Sequence, residues 1–180
     1  MINFQRNNMK NKVILITGAT SGFGKATAEL LRREGYRLIL VARRKEILEK
    51  LKKELKTEVY ISCVDVTDKT QVKKFFEDLP LEYKDIDVLV NNAGLSLGLD
   101  PATEADLEDW DTMVDTNIKG VLYFTRFALE NMKQRNHGLI INIGSVAATV
   151  SYKGGNVYGA TKAFVKQFYI STFIRNSCSY

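Results

Sequence analysis

Short runs of Val, Ile and Leu are spaced along the chain. Within each run, successive residues are apolar, as in strands that are covered on both faces of a parallel sheet. The pattern predicts five β-strands, which are Val13–Ile16, Leu38–Val41, Val59–Val64, Val88–Val90 and Leu139–Ile143.

Between these runs, apolar residues recur at intervals of three and four, which is the spacing of an amphipathic helix. Helices are predicted over approximately Gly22–Arg33, Lys45–Lys56, Thr70–Asp78, Trp110–Gln134 and Gly155–Ile174. Strand and helix therefore alternate along the chain. This order predicts an α/β fold with a doubly wound parallel sheet, the Rossmann arrangement.

The composition is typical of one soluble globular domain. Of the 180 residues, 45% are hydrophobic and 26% are charged, and no apolar run reaches the length of a membrane span. Residues 1–12 are polar and lack the apolar segment of a signal peptide. We expect a polar N-terminal extension over residues 1–12, one domain over residues 13–180, and a cytoplasmic location without membrane contact.

The net charge of +5 raises the alternative of a nucleic-acid binder. The basic excess is concentrated between Arg43 and Lys56, where aliphatic residues from Ile47 to Leu55 recur at helical spacing. Most of these charges are therefore expected on the solvated face of a surface helix. Because no recognised reading motif accompanies them, we expect no nucleic-acid partner.

Cysteine and histidine are too few for several kinds of site. Cys63 lies within an apolar run and is expected to be a small buried residue, whereas Cys178 lies near the end of the chain. Two such cysteines predict neither a disulfide framework nor a metal cluster. His137 is the only histidine, so neither a Ser-His-Asp triad nor a histidine metal site is expected.

The segment Thr17–Gly24 reads TGATSGFG and lies directly between the first predicted strand and the first predicted helix. Its three glycines let the backbone turn tightly and approach a pyrophosphate at the positive end of the helix. A strand, a glycine turn and a helix in this order predict a dinucleotide site.

Two arginines follow the second strand, at the place where dinucleotide sites distinguish NAD from NADP. An acid there binds the ribose 2′-hydroxyl of NAD, whereas an arginine accommodates the 2′-phosphate of NADP. No acid lies between Glu34 and Glu46, so Arg43 and Arg44 favour NADP. Alternatively, they are only the first basic residues of a basic helix.

Tyr158 and Lys162 are four residues apart in a predicted helix and therefore share one face. An ammonium group beside the phenol favours its ionised form, which suits a general acid or base near neutral pH. The pattern Tyr-x-x-x-Lys alone is common on surface helices. Ser145, at the end of the last strand, is a donor for a reacting oxygen.

With TGATSGFG, NNAG, Asn117, Ser145 and Tyr158-x-x-x-Lys162 in this order, the chain resembles the short-chain dehydrogenase/reductases from about Val13 to Phe168. The segments NNAGLSLG, DTNIKGV and GGNVYGATKAF are similar to those of NADP-dependent 3-hydroxy acid dehydrogenases, which include serine dehydrogenases. The resemblance implies an oxidoreductase that transfers hydride between NADP and a secondary alcohol or carbonyl, in a small 3-hydroxy acid such as serine.

The resemblance also implies residue roles. Tyr158 would be the catalytic acid or base, and Lys162 would bind the nicotinamide ribose and lower the pKa of the phenol. Ser145 would bind the substrate oxygen together with Tyr158, and Asn117 would order a water. The implied cofactor-binding residues are Gly18, Ala19, Thr20, Ser21, Gly22, Phe23, Gly24, Arg43, Arg44, Asp65, Val66 and Asn92, with Tyr158 and Lys162. Family members commonly pair through the last two predicted helices, so we expect a homo-oligomer, either a dimer or a tetramer.

Complete members of the family continue for longer, with a sixth strand, helices that cover the substrate and a seventh strand. We therefore expect a C-terminally truncated chain that lacks the last strands and leaves Leu139–Ile143 as an exposed apolar edge. The alternative to an active oxidoreductase is a catalytically incompetent nucleotide-binding remnant that acts through subunit association.

Overall fold

The apolar runs form one parallel sheet in the computed structural model, which describes residues 12–55 and 58–173. The strands are β1 (Val13–Thr17), β2 (Arg37–Ala42), β3 (Val59–Cys63), β4 (Ile86–Asn91) and β5 (Leu139–Asn142). They lie in the order β3-β2-β1-β4-β5, and every neighbouring pair is parallel. This arrangement confirms the predicted doubly wound fold.

Six α-helices connect or follow these strands within the described residues. They are α1 (Gly22–Arg33), α2 (Lys45–Leu55), α3 (Lys69–Glu77), α4 (Leu107–Val114), α5 (Gly120–Gln134) and α6 (Asn156–Phe173). Side chains cap two of them: Asp68 accepts hydrogen bonds from Thr70 N and Gln71 N at the start of α3, and Asp106 accepts one from Glu108 N at the start of α4. None of these helices is long and apolar enough to cross a membrane.

Apolar side chains on the two faces of the sheet form two clusters. Leu15 points to one face, where it belongs to the same cluster as Phe75 of α3 and Phe124 of α5. Its neighbour Ile16 belongs to the opposite cluster, with Leu48 of α2. Alternate residues of one strand are thus buried on both sides, which explains why the predicted strands are apolar at every position.

The predicted helix Trp110–Gln134 differs most from the structure. It begins earlier, at Leu107, and a π-helical turn over Asp115–Lys119 interrupts it between α4 and α5. A π turn adds one residue to the helical repeat, and such turns occur frequently at functional sites. Smaller differences affect the strand ends, because β4 begins at Ile86 and β5 ends at Asn142.

The expectation that Cys63 is buried was wrong. Its side chain is exposed, and its Sγ atom donates a 3.2 Å hydrogen bond to the carbonyl oxygen of Arg43. Cys63 is the last residue of β3, which is an outer strand of the described sheet and has only β2 beside it. The expectations for residues 1–11, Lys56, Ile174 and Cys178 concern positions outside the described residues.

Among the described residues, β5 is paired with β4 alone, so the predicted exposed edge is confirmed for this part of the chain. Leu139 and Ile141 are 48% and 41% exposed, whereas Ile140 between them is buried. One face of β5 therefore belongs to the core, and the other is an apolar surface.

Candidate active site

A cavity of about 490 Å³ lies at the carboxyl ends of the strands. Residues that directly follow β1, β3, β4 and β5 line it, as does Ala42 at the end of β2. Of the residues predicted from the sequence, it is lined by Gly18, Thr20, Ser21, Gly22, Phe23, Arg43, Arg44, Asp65, Val66, Asn92, Tyr158 and Lys162. Parallel strands bring their polar carboxyl ends to one edge of the sheet, which explains how such distant residues meet.

The three glycines of the turn differ in their surroundings. Gly18 has φ +65°, and a Cβ atom there would lie 2.8 Å from Ala93 Cα. A Cβ atom on Gly24 would overlap the Nδ2 atom of Asn92 and the carbonyl oxygen of Gly18. Gly22 has φ +52°, but a Cβ atom there would meet no protein atom within 4 Å. Gly18 and Gly24 are therefore required by packing, whereas Gly22 leaves free space beside the turn.

Asn92 fixes the glycine turn to the end of β4. Its Nδ2 atom donates hydrogen bonds to Thr17 O at 2.9 Å and to Gly18 O at 3.1 Å. The hydroxyl of Thr17 accepts hydrogen bonds from the backbone N–H groups of Asn92 and Ala93. Two predicted cofactor residues support this turn from behind, because neither Ala19 nor Gly24 lines the cavity and both are buried.

The ends of β2 and β3 form the opposite wall. Arg43 and Arg44 are both exposed and line the cavity, and Arg44 Nη2 donates a 3.1 Å hydrogen bond to Thr20 Oγ1. Asp65 is held in place because its Oδ1 atom accepts from the N–H and the hydroxyl of Thr67. No carboxylate of the described residues pairs with either arginine, so two positive charges face this end of the cavity.

Tyr158 and Lys162 of α6 line the other end of the same cavity. Lys162 is buried, and its Nζ atom lies 5.9 Å from the centroid of the Tyr158 ring. The same atom donates a 2.8 Å hydrogen bond to Ile143 O. Burial lowers the pKa of the Lys162 ammonium, because few water molecules can solvate the charged form.

Asn117 lies in the π-helical turn and is 1% exposed. Its Oδ1 atom accepts from Leu95 N at 2.9 Å, and its Nδ2 atom donates to Leu95 O at 2.9 Å and to Thr161 Oγ1 at 3.0 Å. Thr161 in turn donates to the carbonyl oxygen of Tyr158. The Asn117 side chain thus joins the loop after β4 to α6. Asn117 itself does not line the cavity.

Ser145 lies beside the first cavity, not within it. It begins a short 3-10 turn (Val146–Ala148), and its Oγ atom accepts a 3.1 Å hydrogen bond from Ala147 N. Its hydroxyl proton is therefore still available to donate. Ser145 lines a second cavity of about 800 Å³ between β5 and α6, and Lys162 lines both cavities.

Several cavity residues were missed by reasoning from the sequence. They are Ala42, Val64, Ala93, Gly94, Leu95, Ser96, Thr116, Ile143 and Gly144. Most are small or apolar, and Ile143 contributes its carbonyl oxygen to Lys162, so their side chains carry no chemical signature. Their common feature is position, because most lie at or directly after the carboxyl end of a strand.

A doubly wound parallel sheet with a glycine turn and a cavity at its carboxyl edge defines a dinucleotide-binding α/β class of protein. The family model described as short chain dehydrogenase matches residues 12–173, and the chain belongs to this family.

The chain is also similar in sequence to individual proteins with assigned activities. The chain is 51% identical over 156 residues to the NADP-dependent 3-hydroxy acid dehydrogenase YdfG of Escherichia coli strain K12, covering 87% of this chain and 63% of that protein. It is 52% identical over 155 residues to the serine 3-dehydrogenase of Rhizobium radiobacter, covering 86% and 62%. The chain therefore spans somewhat less than two thirds of the length of these relatives.

Two solved structures of serine dehydrogenase superpose on this chain. Serine dehydrogenase from Escherichia coli superposes with a TM-score of 0.87 at 50% identity, over 89% of this chain and 73% of that structure. The closed form of serine dehydrogenase complexed with NADP+ gives a TM-score of 0.90 at 48% identity, over 92% and 66%.

Proposed function

We propose that this chain is an NADP-dependent oxidoreductase that transfers hydride between the nicotinamide and a secondary alcohol or carbonyl, in a small 3-hydroxy acid such as serine. One observation carries the proposal: Tyr158 and Lys162 line the same cavity as the glycine turn and Arg43 and Arg44. A proton-transfer group thus lies in one cavity with a dinucleotide-binding turn. The similarity to 3-hydroxy acid and serine dehydrogenases supports the substrate class.

The lining of the cavity suits NADP, because it combines free space at the glycine turn with positive charge. Gly22 leaves free space at the N-terminus of α1, where a pyrophosphate can approach backbone N–H groups and the positive end of the helix. Arg43 and Arg44 supply positive charge for the 2′-phosphate, and Lys162 is a donor for the nicotinamide ribose. When bound, the nicotinamide supplies the carbon that accepts or gives the hydride.

The chain's own residues account for the proton transfer. In alcohol oxidation, the Tyr158 oxygen removes the hydroxyl proton, and the available proton of Ser145 is donated to the substrate oxygen. The buried ammonium of Lys162 places a positive charge near the phenol that gains and loses the proton. Asn117 and Thr161 fix the helix on which both groups lie.

An activity assay tests the proposal. The purified chain is mixed with NADP and L-serine or 3-hydroxypropanoate, and formation of NADPH is followed by absorbance. Tyr158→Phe should abolish turnover and leave NADPH binding nearly unchanged, because only the reacting hydroxyl is lost. Tyr152→Phe is the matched control, since Tyr152 lies outside the first cavity, and it should retain activity. NADPH binding without any turnover by the unaltered chain would contradict the oxidoreductase and favour the nucleotide-binding remnant.

We also propose that the protein is a homo-oligomer, on the family resemblance, and that it is cytoplasmic, on the composition of the sequence. Sedimentation at several concentrations measures the number of associated copies, and fractionation of cells measures the location. A chain that sediments as a monomer at all concentrations would contradict the first part.

A further inference from the structure

Thr161 is a buried residue of α6 that lies between the two cavity residues of this helix in the sequence. Tyr158 and Lys162 line the cavity, whereas Thr161 is 1% exposed and contacts Asn117 of the π-helical turn. Its Oγ1 atom lies 3.0 Å from Asn117 Nδ2 and 2.8 Å from the carbonyl oxygen of Tyr158. One buried hydroxyl therefore bridges the π-helical turn and the backbone of Tyr158.

The surrounding groups fix the direction of each hydrogen bond in this bridge. Leu95 N donates to Asn117 Oδ1, so the amide nitrogen of Asn117 faces Thr161. Because that nitrogen can only donate, it occupies a lone pair of the Thr161 oxygen. The single hydroxyl proton of Thr161 is then donated to Tyr158 O. The network thus runs in one direction from Leu95, which lines the cavity, to the backbone of Tyr158.

Tyr158 lies where a helix is least constrained. It is the third residue of α6, and the N–H groups of a first turn have no carbonyl partner within their own helix. Helix ends therefore open more easily than helix interiors. Thr161 adds a buried hydrogen bond to the carbonyl group of Tyr158. Because the phenol oxygen is the atom of Tyr158 farthest from the backbone, a small rotation of this turn displaces that oxygen more than it displaces the Cα atom.

Resting on the proposed oxidoreductase function, we infer that Thr161 is a positioning residue for hydride transfer. Its hydroxyl holds the first turn of α6 so that the Tyr158 oxygen meets the hydroxyl of the substrate. Thr161 lines neither the first nor the second cavity, so it acts through Tyr158. Misplacement of a reacting group by about 1 Å can cost roughly a hundredfold in rate. The role requires the hydroxyl of Thr161 and not merely its volume.

Threonine variants separate positioning from packing. Thr161→Val removes the hydroxyl at nearly constant volume, and Thr161→Ser retains it. Thr125→Val is the matched control, because Thr125 is 2% exposed and its Oγ1 atom accepts a 2.9 Å hydrogen bond from Asn91 Nδ2. NADPH is titrated by fluorescence, turnover is measured with NADP and L-serine, and stability is measured in urea.

Thr161→Val should lower kcat roughly ten- to a hundredfold and change the Kd of NADPH by less than about twofold. Thr161→Ser should recover most of the lost kcat. Thr125→Val should lose stability to a similar extent and keep the kcat of the parent. Thr161→Cys, whose thiol is a weaker donor, should have an intermediate kcat, and it replaces Thr161→Val if that variant does not fold.

A spectroscopic measurement tests the inference without turnover. In the chain labelled with ¹³C in its tyrosine rings, the NMR signal of Tyr158 is assigned as the one that Tyr158→Phe removes. This signal should shift or broaden in Thr161→Val, with and without NADP, and should stay in place in Thr161→Ser and Thr125→Val.

An unchanged kcat or an unchanged Tyr158 signal in Thr161→Val would overturn the inference. Equal losses of kcat in Thr161→Val and Thr125→Val would overturn it as well, because lost stability would then explain both. A parent chain without turnover would instead contradict the proposed function, and the Tyr158 signal would still decide whether Thr161 positions the ring.

Discussion

The Nζ atom of Lys162 donates a 2.8 Å hydrogen bond to the carbonyl oxygen of Ile143. Ile143 directly follows β5, and its N–H group donates to Asn91 O at the end of β4. The lysine of α6 is therefore connected through one residue to two strands of the sheet. This connection holds a buried charge at the cavity, where the same nitrogen is proposed to bind the ribose.

The burial of Lys162 predicts a pH dependence of stability. Because burial lowers its pKa in the folded state, the unfolded chain binds more protons between that pKa and 10.5. The free energy of unfolding of the parent should therefore rise with pH in this window, relative to a chain without the charge. In Lys162→Met, any gain in stability over the parent should be largest near pH 7 and shrink as the pH approaches 10.5. Urea denaturation of both proteins at several pH values measures this difference in the free energy of unfolding.

Lys166→Met is the control for this measurement, because Lys166 lies on the same helix and is exposed. The change in stability difference between pH 7 and pH 10.5 should be larger for Lys162→Met than for this control, which removes the same charge. A difference for Lys162→Met that grows with pH would show that the buried ammonium is stabilised in the folded state.

The charge of Arg43 predicts the choice of cofactor. Arg43→Asp replaces a cation at the cavity by an anion, which repels a 2′-phosphate and can accept a hydrogen bond from a ribose 2′-hydroxyl. NADPH binding should weaken by roughly ten- to a hundredfold, whereas NADH binding should be retained. Fluorescence titration of both cofactors measures the change. Arg33→Asp makes the same charge change in the last turn of α1, outside the cavity, and should leave the order of affinities unaltered.

Substitution of the two later glycines of the turn should affect different properties, which are the stability of the chain for Gly24 and NADPH binding for Gly22. Gly24→Ala places a methyl group on Asn92 Nδ2 and Gly18 O, so it should destabilise the chain by about 3 kcal/mol or more. Gly22→Ala meets no protein atom and has only backbone strain at φ +52°, so it should cost about 1 kcal/mol. Gly22→Ala should nevertheless weaken NADPH, because the methyl group occupies the space left for the pyrophosphate. Denaturation and titration of both variants separate the two effects, and normal NADPH binding by Gly22→Ala would refute this use of the space.

Much of the fold was predictable because the apolar residues that form its core recur at the spacings of strands and helices. Strands such as β1 are buried on both faces, so they are apolar at each position, and the alternation with helices predicts the topology. The cavity residues were predictable where chemistry needs a special residue, as with Gly18, Arg43 or Tyr158. These residues carry a positive φ, a charge or an acidic hydroxyl that few other side chains provide.

The remaining features depend on neighbours that a linear pattern does not contain. Cys63 is as apolar as its strand, and only the sheet order shows that this strand lies at an edge. The acceptors of Lys162 and Asn117 are backbone atoms of Ile143 and Leu95, which every residue type can supply. The family resemblance implied a water-ordering role for Asn117, but a linear pattern does not show that its side chain joins two elements.

The contacts of Asn117 predict a large loss of stability on its removal. Asn117→Ala leaves Leu95 N and Leu95 O without their partner and opens a small void, because the amide is 1% exposed. The free energy of unfolding should fall by about 3 kcal/mol. Asn156→Ala is the control, since among the described residues its exposed side chain accepts only from the adjacent Val157 N, and the loss there should be below about 1 kcal/mol. Chemical denaturation compares the two variants, and equal losses would show that the buried network adds nothing.

The outer face of β5 is an apolar surface at one edge of the described sheet. In the described residues this strand is paired on one side only, and Leu139 and Ile141 are 48% and 41% exposed on its apolar face. Unpaired backbone groups beside apolar side chains favour association with another strand, and a lysine on such an edge opposes it. The 180-residue polypeptide should therefore show light scattering that rises with concentration, and Ile141→Lys should reduce it. Leu81→Lys makes the same kind of change at a leucine that is 84% exposed and distant in sequence from β5, so it should leave the scattering unchanged. Equal reduction by both variants would show that net charge controls association. If scattering by the parent does not rise with concentration, the edge of β5 does not drive association.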